Sequence, residues 1–304
     1  MPICVPLAAR RLLRVTGEDA RIFLQGVVSN DVRRVAHDRA IWAAFLTPQG
    51  RYLHDFFLCE LDGALILDAE AARLSDLKRR LSIYKLRSRV AIEEVGQATS
   101  VWALIGEGAA AAVGVRRTEP GAATSFGGGT VFVDPRSAAA GLRAVLPTAR
   151  GPAALAASGF EGGDIQDYER LRIGLGLPDG SRDMLVEKSL LLECGFDELN
   201  GIDWQKGCYL GQELTARTRY RGLVKRRLLP VSVEGPLPPP GTPILLDGKD
   251  VGEVRSGIDG MALALLRLEA LRAIAAGTGQ IRAGETGLLP RPPDWAKLAT
   301  GEQA

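Results

Sequence analysis

Residues 203–218 read DWQKGCYLGQELTART, and the fold turns on how this stretch is read. Gly207 and Gly211 bracket Cys208, and Gly207 permits unusual backbone angles or the close approach of a ligand. Leu210, Leu214 and Thr218 recur at i, i+4 and i+8, which predicts a helix beginning near Cys208. A thiol at a helix N-terminus beside Lys206 is expected to have a lowered pKa, which makes Cys208 a candidate thiolate. The competing reading is a small packed thiol, because free cysteine is among the most buried residue types. Glu213 and Arg217 stand at i, i+4 in the better orientation for an exposed helical ion pair.

Working outward, the 304 residues suffice for two or three domains. With 46% hydrophobic and 24% charged residues the chain reads as soluble and globular. The 38 basic and 36 acidic residues nearly cancel. That balance gives no global field for nucleic acid or a membrane surface and leaves room only for a local basic pocket. No run approaches the roughly 18 apolar residues of a membrane span. MPICVPLAARRLLRV lacks the apolar core of a signal peptide. Cys4, Cys59, Cys194 and Cys208 are widely spaced with no CxxC, so a reducing, cytoplasmic compartment is expected. His37 and His54 alone exclude a histidine-rich metal centre, and no metal site is expected. GGGT at 127–130 lacks the Gly-Lys-Ser/Thr of a P-loop and reads as a turn.

Thr16 to Asp19 has the form of a capping box ahead of a helix whose apolar stripe is Ala20, Phe23, Leu24 and Val27. SNDV, 29–32, is loop chemistry. IWAAFLT and RYLHDFFLCEL are two strands joined by Thr47-Pro48-Gln49-Gly50, and ALILDAE is a third. Leu74, Leu77, Leu81 and Tyr84 mark a helix, and two further strands follow. The order suggests an α+β module at about 40–110. Residues 106–160, rich in Ala and Gly, say little. A second capped helix starts at Asp164, with Ile165, Tyr168, Leu171 and Leu175 as its apolar face, and Gly176-Leu177-Pro178 stops it. PLPPPG, 236–241, is a stiff linker or long turn. Asp247-Gly248 centres a hairpin. MALALLRLEAL reads as strand in its first half, and the tail beyond Pro290 as loosely ordered.

KGCYLGQE, Lys206 to Glu213, resembles the signature of the YgfZ-type folate-binding proteins, relatives of the glycine-cleavage T-protein and of the mitochondrial iron–sulfur assembly factor. RVTGEDARIFLQGVVSNDV looks like the family's opening helix and TND-type loop, with Ser29 in the usual Thr place. FLTPQGRYLHDFFL looks like its TPxGR hairpin, and YERLRIGLGLP like its second helix. The resemblance spans about 15 to 270. It implies an α+β, T-protein-like folate-binding fold with a ferredoxin-like inserted domain and a C-terminal β-barrel. The division expected is a folate-binding region at 1–225 that includes the module, a barrel at 226–290 and a tail at 291–304.

The family binds tetrahydrofolate and supports assembly or repair of iron–sulfur clusters, especially [4Fe–4S], in client enzymes. The resemblance therefore implies tetrahydrofolate or a one-carbon derivative as cofactor, and iron–sulfur client or assembly proteins as partners. The signature here is Lys206, Gly207, Cys208, Tyr209, Gly211, Gln212, Glu213 and Arg217, and Cys208 is the residue tied to activity. A pterin edge needs a carboxylate or amide in an apolar slot, for which Asn30, Asp31 and Asp55 are candidates. The anionic tail needs cations, for which Arg51, Arg170 and Arg172 are candidates. Each has a plainer role: an Asx-turn for Asn30 and Asp31, a hairpin cap for Arg51, an internal acid partner for Arg170. Asp31, Arg51 and the Lys206–Glu213 stretch are favoured. T-protein uses an acid near folate for aminomethyl transfer. Glu187, Glu193, Asp197 and Glu198 offer no spacing that selects one, which speaks against glycine cleavage. The alternative to the cluster role is a folate-dependent one-carbon transferase, and a third reading is a scaffold in which Cys208 only packs.

Overall fold

From the N-terminus the chain runs β1 (Ile3–Pro6), β2 (Arg10–Thr16), α1 (Ala20–Val27), β3 (Ile41–Leu46), β4 (Tyr52–Leu61), β5 (Ala64–Glu70), α2 (Leu74–Lys85), β6 (Ala91–Val95) and β7 (Thr99–Ile105). It continues through α3 (Ala109–Ala112), β8 (Ala123–Phe126), β9 (Gly129–Val133), β10 (Leu142–Pro147), α4 (Gly151–Ala157), β11 (Glu161–Gly162), α5 (Ile165–Gly174), α6 (Gly180–Asp183) and α7 (Gln212–Tyr220). Last come β12 (Arg226–Glu234), β13 (Pro243–Leu246), β14 (Lys249–Ile258), β15 (Met261–Arg267), α8 (Leu268–Ala275), β16 (Ile281–Ala283) and β17 (Thr286–Pro290). The computed structural model describes residues 1–298. Met1–Tyr168 and Asn200–Gln212 form one compact unit; Glu169–Leu199 and the chain from Glu213 form another. Two stretches expected in the folate-binding region, Glu169–Leu199 and 213–225, thus group with the barrel.

The first unit holds two sheets, ordered β3-β4-β5-β2-β6 and β11-β1-β7-β10-β9-β8. The hairpin at Thr47–Gly50 forms as expected, with Gly50 at φ 78° and its N–H donating to Thr47 O at 2.8 Å. The module read at 40–110 is not closed on itself. β2 is inserted between β5 and β6, and β7 leaves to pair with β1 and β10. The capping box is also corrected. Thr16 still belongs to β2, and Asp19 caps α1 without a side-chain bond to it. Its carboxylate accepts instead from Arg89 N–H at 2.7 Å. The stripe itself is right: Ala20, Phe23, Leu24 and Val27 are buried. Gly127 and Gly128, both at positive φ, turn β8 into β9.

Between the sheets lies a charged core. Asp68 on β5 is fully buried and accepts from Arg10 at 2.7 Å and from Arg143 on β10 at 2.6 Å. Arg136 pairs with Asp134 at 2.7 Å, and Tyr168 OH accepts from Arg143 at 3.2 Å and Arg136 at 3.4 Å. All three guanidiniums lie within 5.7 Å of the Phe57 ring centroid, which accepts them through its negative face. Removing Asp68 would strand two buried cations, a loss of about 3–5 kcal/mol.

In the second unit, β12-β15-β14-β13-β16-β17 close into a barrel around Leu229, Val254, Ala264 and Leu266. Asp247 (φ 49°) and Gly248 (φ 79°) make the expected tight turn, and PLPPPG is the connection from β12 to β13. The chain switches from strand to helix at Leu268. α5 departs from expectation, because Ile165 is 47% exposed while Tyr168, Glu169, Arg172 and Ile173 are buried. Arg172 is inward-facing because it is paired: it donates to both Glu169 oxygens, to Asp183 at 2.9 Å and to Ser256 at 2.8 Å. Gly176 (φ 72°) ends α5, with Leu177 N–H returning to Arg172 O at 2.8 Å. Past Pro290 the chain is held by Trp295, whose Nε1–H donates to Leu175 O at 2.7 Å. Residues 299–304 of the expected loose tail lie outside the described residues.

His54 on β4 is buried against Asp76 at 3.0 Å. Burial, reinforced by the Arg73 cation, lowers it to about 4, against the pull of Asp76. It is therefore neutral when folded and takes up its proton near pH 6.5 only when unfolded. Its contribution is fully present above pH 6.5 and is lost as pH falls toward 4, by about 3 kcal/mol. Urea midpoints should fall over that window, and His54→Gln should flatten the slope. An unchanged slope in the variant would refute this assignment.

Candidate functional site

Lys206 is the fastening of the signature loop. Its side chain is 5% exposed and its Nζ donates to Gln25 O at 2.5 Å and Val28 O at 2.8 Å, at the C-terminal end of α1. A cation there satisfies carbonyls the helix leaves open and meets the negative end of its dipole. Burial pushes this amine down to about 8, with Asp31 and Asp203 pulling it back up, so at neutral pH it is charged. The Tyr209 ring lies 4.8 Å from Nζ. Leu210 N–H donates to Gly26 O at 3.0 Å and Tyr209 N–H to Gln212 Oε1 at 3.1 Å.

Gly211 seats the loop on the β3–β4 turn. At φ 79° a Cβ there would stand 2.4 Å from Thr47 O. Gly207, at φ 92°, has open space where a Cβ would go. The preceding segment covers the buried edge strand β3. Ser29 N–H donates to Ala44 O at 2.9 Å, Ala44 N–H to Ser29 Oγ at 2.8 Å, and Asn30 Nδ2 to Trp42 O at 2.7 Å.

Cys208 lies on this loop with its side chain exposed, whereas Cys4, Cys59 and Cys194 are buried. Burial pushes those three thiols up. The helix expected to begin near Cys208 begins at Gln212, because Gly211 turns the chain against Thr47 first. Glu213 and Arg217 form the exposed i, i+4 pair at 2.7 Å. Among the described residues no group of three or more His, Cys, Asp or Glu could hold a metal ion, and no helix is long and apolar enough to cross a membrane.

The folate candidates fare unequally. Asn30 is buried; its amide also donates to Asn200 O at 2.8 Å, and its Oδ1 accepts from Asp31 N–H. Both Asp55 oxygens are engaged, by Trp42 Nε1 at 3.0 Å and Tyr52 OH at 2.8 Å. These two groups fit a structural role better than a ligand contact. Asp31 is partly open. It caps a 3-10 turn and holds Arg33 at 2.8 Å, and that guanidinium lowers its carboxyl. Arg51 is half-buried and its N–H closes the turn on Thr47 Oγ1 at 3.1 Å. Asp31 and Lys206 are joined through Gln25, whose Nε2 donates to Asp31 at 2.9 Å and Lys206 O at 3.1 Å. Nothing in the sequence marks Gln25 beyond a polar residue in the last turn of a helix. Arg170 is exposed, pairs with Asp259 at 3.3 Å and belongs to the second unit. Arg172 is spent on its acids.

The chain is 34% identical to the mitochondrial iron–sulfur cluster assembly factor IBA57 of Mus musculus, over 96% of this chain and 85% of the relative. It is 34% identical to that of Homo sapiens, with the same coverage of each. The chain belongs to the IBA57 family of iron–sulfur cluster assembly factors. Residues 225–298 match the C-terminal β-barrel domain of CAF17. The fold is that of T-protein: a solved aminomethyltransferase T of the glycine cleavage system from Bartonella henselae superposes with TM-score 0.72 at 15% identity, over 98% of this chain and 87% of that one. The cytoplasmic expectation is corrected by these relatives, which are named mitochondrial. Free cysteines mark a reducing compartment but do not say which one.

The two glycines give an internal comparison. Gly207→Ala adds only a Cβ at positive φ, about 1 kcal/mol. Gly211→Ala adds that and a collision with Thr47 O, about 2–4 kcal/mol in all. Denaturant unfolding of both variants should show that order, and equal losses would mean the loop is not seated on the turn.

Proposed function

We propose that this chain is a tetrahydrofolate-binding accessory protein for assembly or repair of [4Fe–4S] clusters in client enzymes, acting through Cys208 as in the YgfZ-type signature. One observation carries the reading: of four cysteines, only Cys208 is exposed, and its loop is fastened on both sides by Lys206 and Gly211. A thiol kept for packing would be buried like the other three. An exposed thiol on a pinned backbone can exchange with a partner's disulfide, releasing one of its sulfurs as a thiol, or serve as a passing iron ligand. The relatives named iron–sulfur cluster assembly factors support the same direction. For the folate, the partly exposed Asp31 carboxylate, which a pterin edge would share with Arg33 and Gln25, is assigned to the pterin and Arg51 to the glutamate tail; bound folate would bring one-carbon chemistry.

The test is genetic. Cells lacking this gene should lose aconitase and other [4Fe–4S] activities while an iron-independent control enzyme stays normal. Wild type should restore them, and Cys208→Ala and Cys208→Ser should not, at equal protein levels and unchanged melting temperature. Rescue by Cys208→Ala would reduce the cysteine to packing. Normal cluster enzymes in the deletion would favour the one-carbon transferase.

A further inference from the structure

Leu86, just past the end of α2, stands in a conformation that Leu avoids and exposes an apolar side chain to water. Its backbone is at φ 46°, ψ −115°, and Ser88 N–H donates to Lys85 O at 2.9 Å. That is the first central position of a type II′ turn, where glycine is the ordinary residue. A non-glycine residue held there is strained, and such strain clusters at functional sites. No packing explains it, since Leu86 is 87% exposed and its neighbour Ile83 59%. The rest of α2 is firmly set: Leu74, Leu77 and Leu81 are buried, and Tyr84 meets Phe45 edge-on at 5.8 Å.

The surroundings are cationic. Residues 78–89, KRRLSIYKLRSR, contain six basic residues and no acidic one. Arg79 and Arg80 pair with Asp76, Lys78 reaches Glu94 at 4.0 Å, and Arg89 pairs with Glu18. Lys85 and Arg87, on either side of Leu86, form no ion pair among the described residues.

We propose that this turn docks an acidic partner protein, with Leu86 and Ile83 entering an apolar pocket rimmed by carboxylates that meet Lys85 and Arg87. A preorganised anchor is useful only to a shaped pocket, because fixing the side chain in advance removes an ordering cost on binding. A fluid bilayer gains little from it, and two aliphatic side chains bury too little to hold a membrane stably. The proposal rests on the cluster-assembly reading, in which the partner is a client or carrier protein.

Leu86→Gly removes the strain and the anchor together. It should melt no lower than wild type yet fail to restore aconitase in the deletion strain, as should Lys85→Glu/Arg87→Glu, while Lys85→Arg/Arg87→Lys restores it. Loss of one such anchor weakens binding about 30-fold. Full rescue by Leu86→Gly overturns the proposal alone, whereas intact aconitase in the deletion strain overturns the cluster reading and this one with it. Flotation of the wild type with phosphatidylcholine–phosphatidylserine vesicles, lost in Leu86→Gly, would assign the turn to lipid and overturn the protein partner.

Discussion

The Lys206 ammonium, buried on the last carbonyls of α1, is the contact from which the first unit's candidate site is built. Those carbonyls need a donor, and the loop needs an anchor; one side chain supplies both. Gly26 O, one of the same open carbonyls, takes Leu210 N–H, so the end of one helix fixes both sides of Cys208. The helix then runs directly into Ser29 and Asn30, which cover the edge of β3. A buried edge strand without partners would leave its N–H and C=O groups unsatisfied. The constraint therefore links helix end, sheet edge and signature loop into a single arrangement, and the exposed thiol is its outcome.

Charge burial in both units works toward position more than net stability. Asp68 between Arg10 and Arg143 ties one sheet to the other, and Arg172 with Glu169, Asp183 and Ser256 ties a helix to the barrel wall. Such pairs break about even against apolar packing, yet are expensive to break singly. Arg172 serves this network and is not available to an anionic ligand.

Much of this was legible where local chemistry and burial agree. The α1 stripe, the Thr47–Gly50 turn and the Asp247-Gly248 hairpin all follow from period and turn residues. β2 was missed because RRLLRVT carries three arginines, and Arg10 is buried only because Asp68, far along the chain, meets it. The inner face of α5 was misread for the same reason: its buried residues include Glu169 and Arg172, which are polar in sequence and apolar in effect once paired. β8 to β10 lie in Ala- and Gly-rich sequence whose strands are specified by pairing more than by period. At the site, the motif named Cys208 and Lys206, but the start of α7 depended on Gly211 meeting Thr47, a contact no local pattern contains.

The most direct test of the central claim, one open thiol on a fastened loop, is thiol counting on the native reduced protein with a maleimide, the label mapped by mass spectrometry. The structure predicts rapid labelling of Cys208 alone, with Cys4, Cys59 and Cys194 reacting only in urea. Slow labelling of Cys208, or labelling of a second cysteine at the same rate, would contradict it.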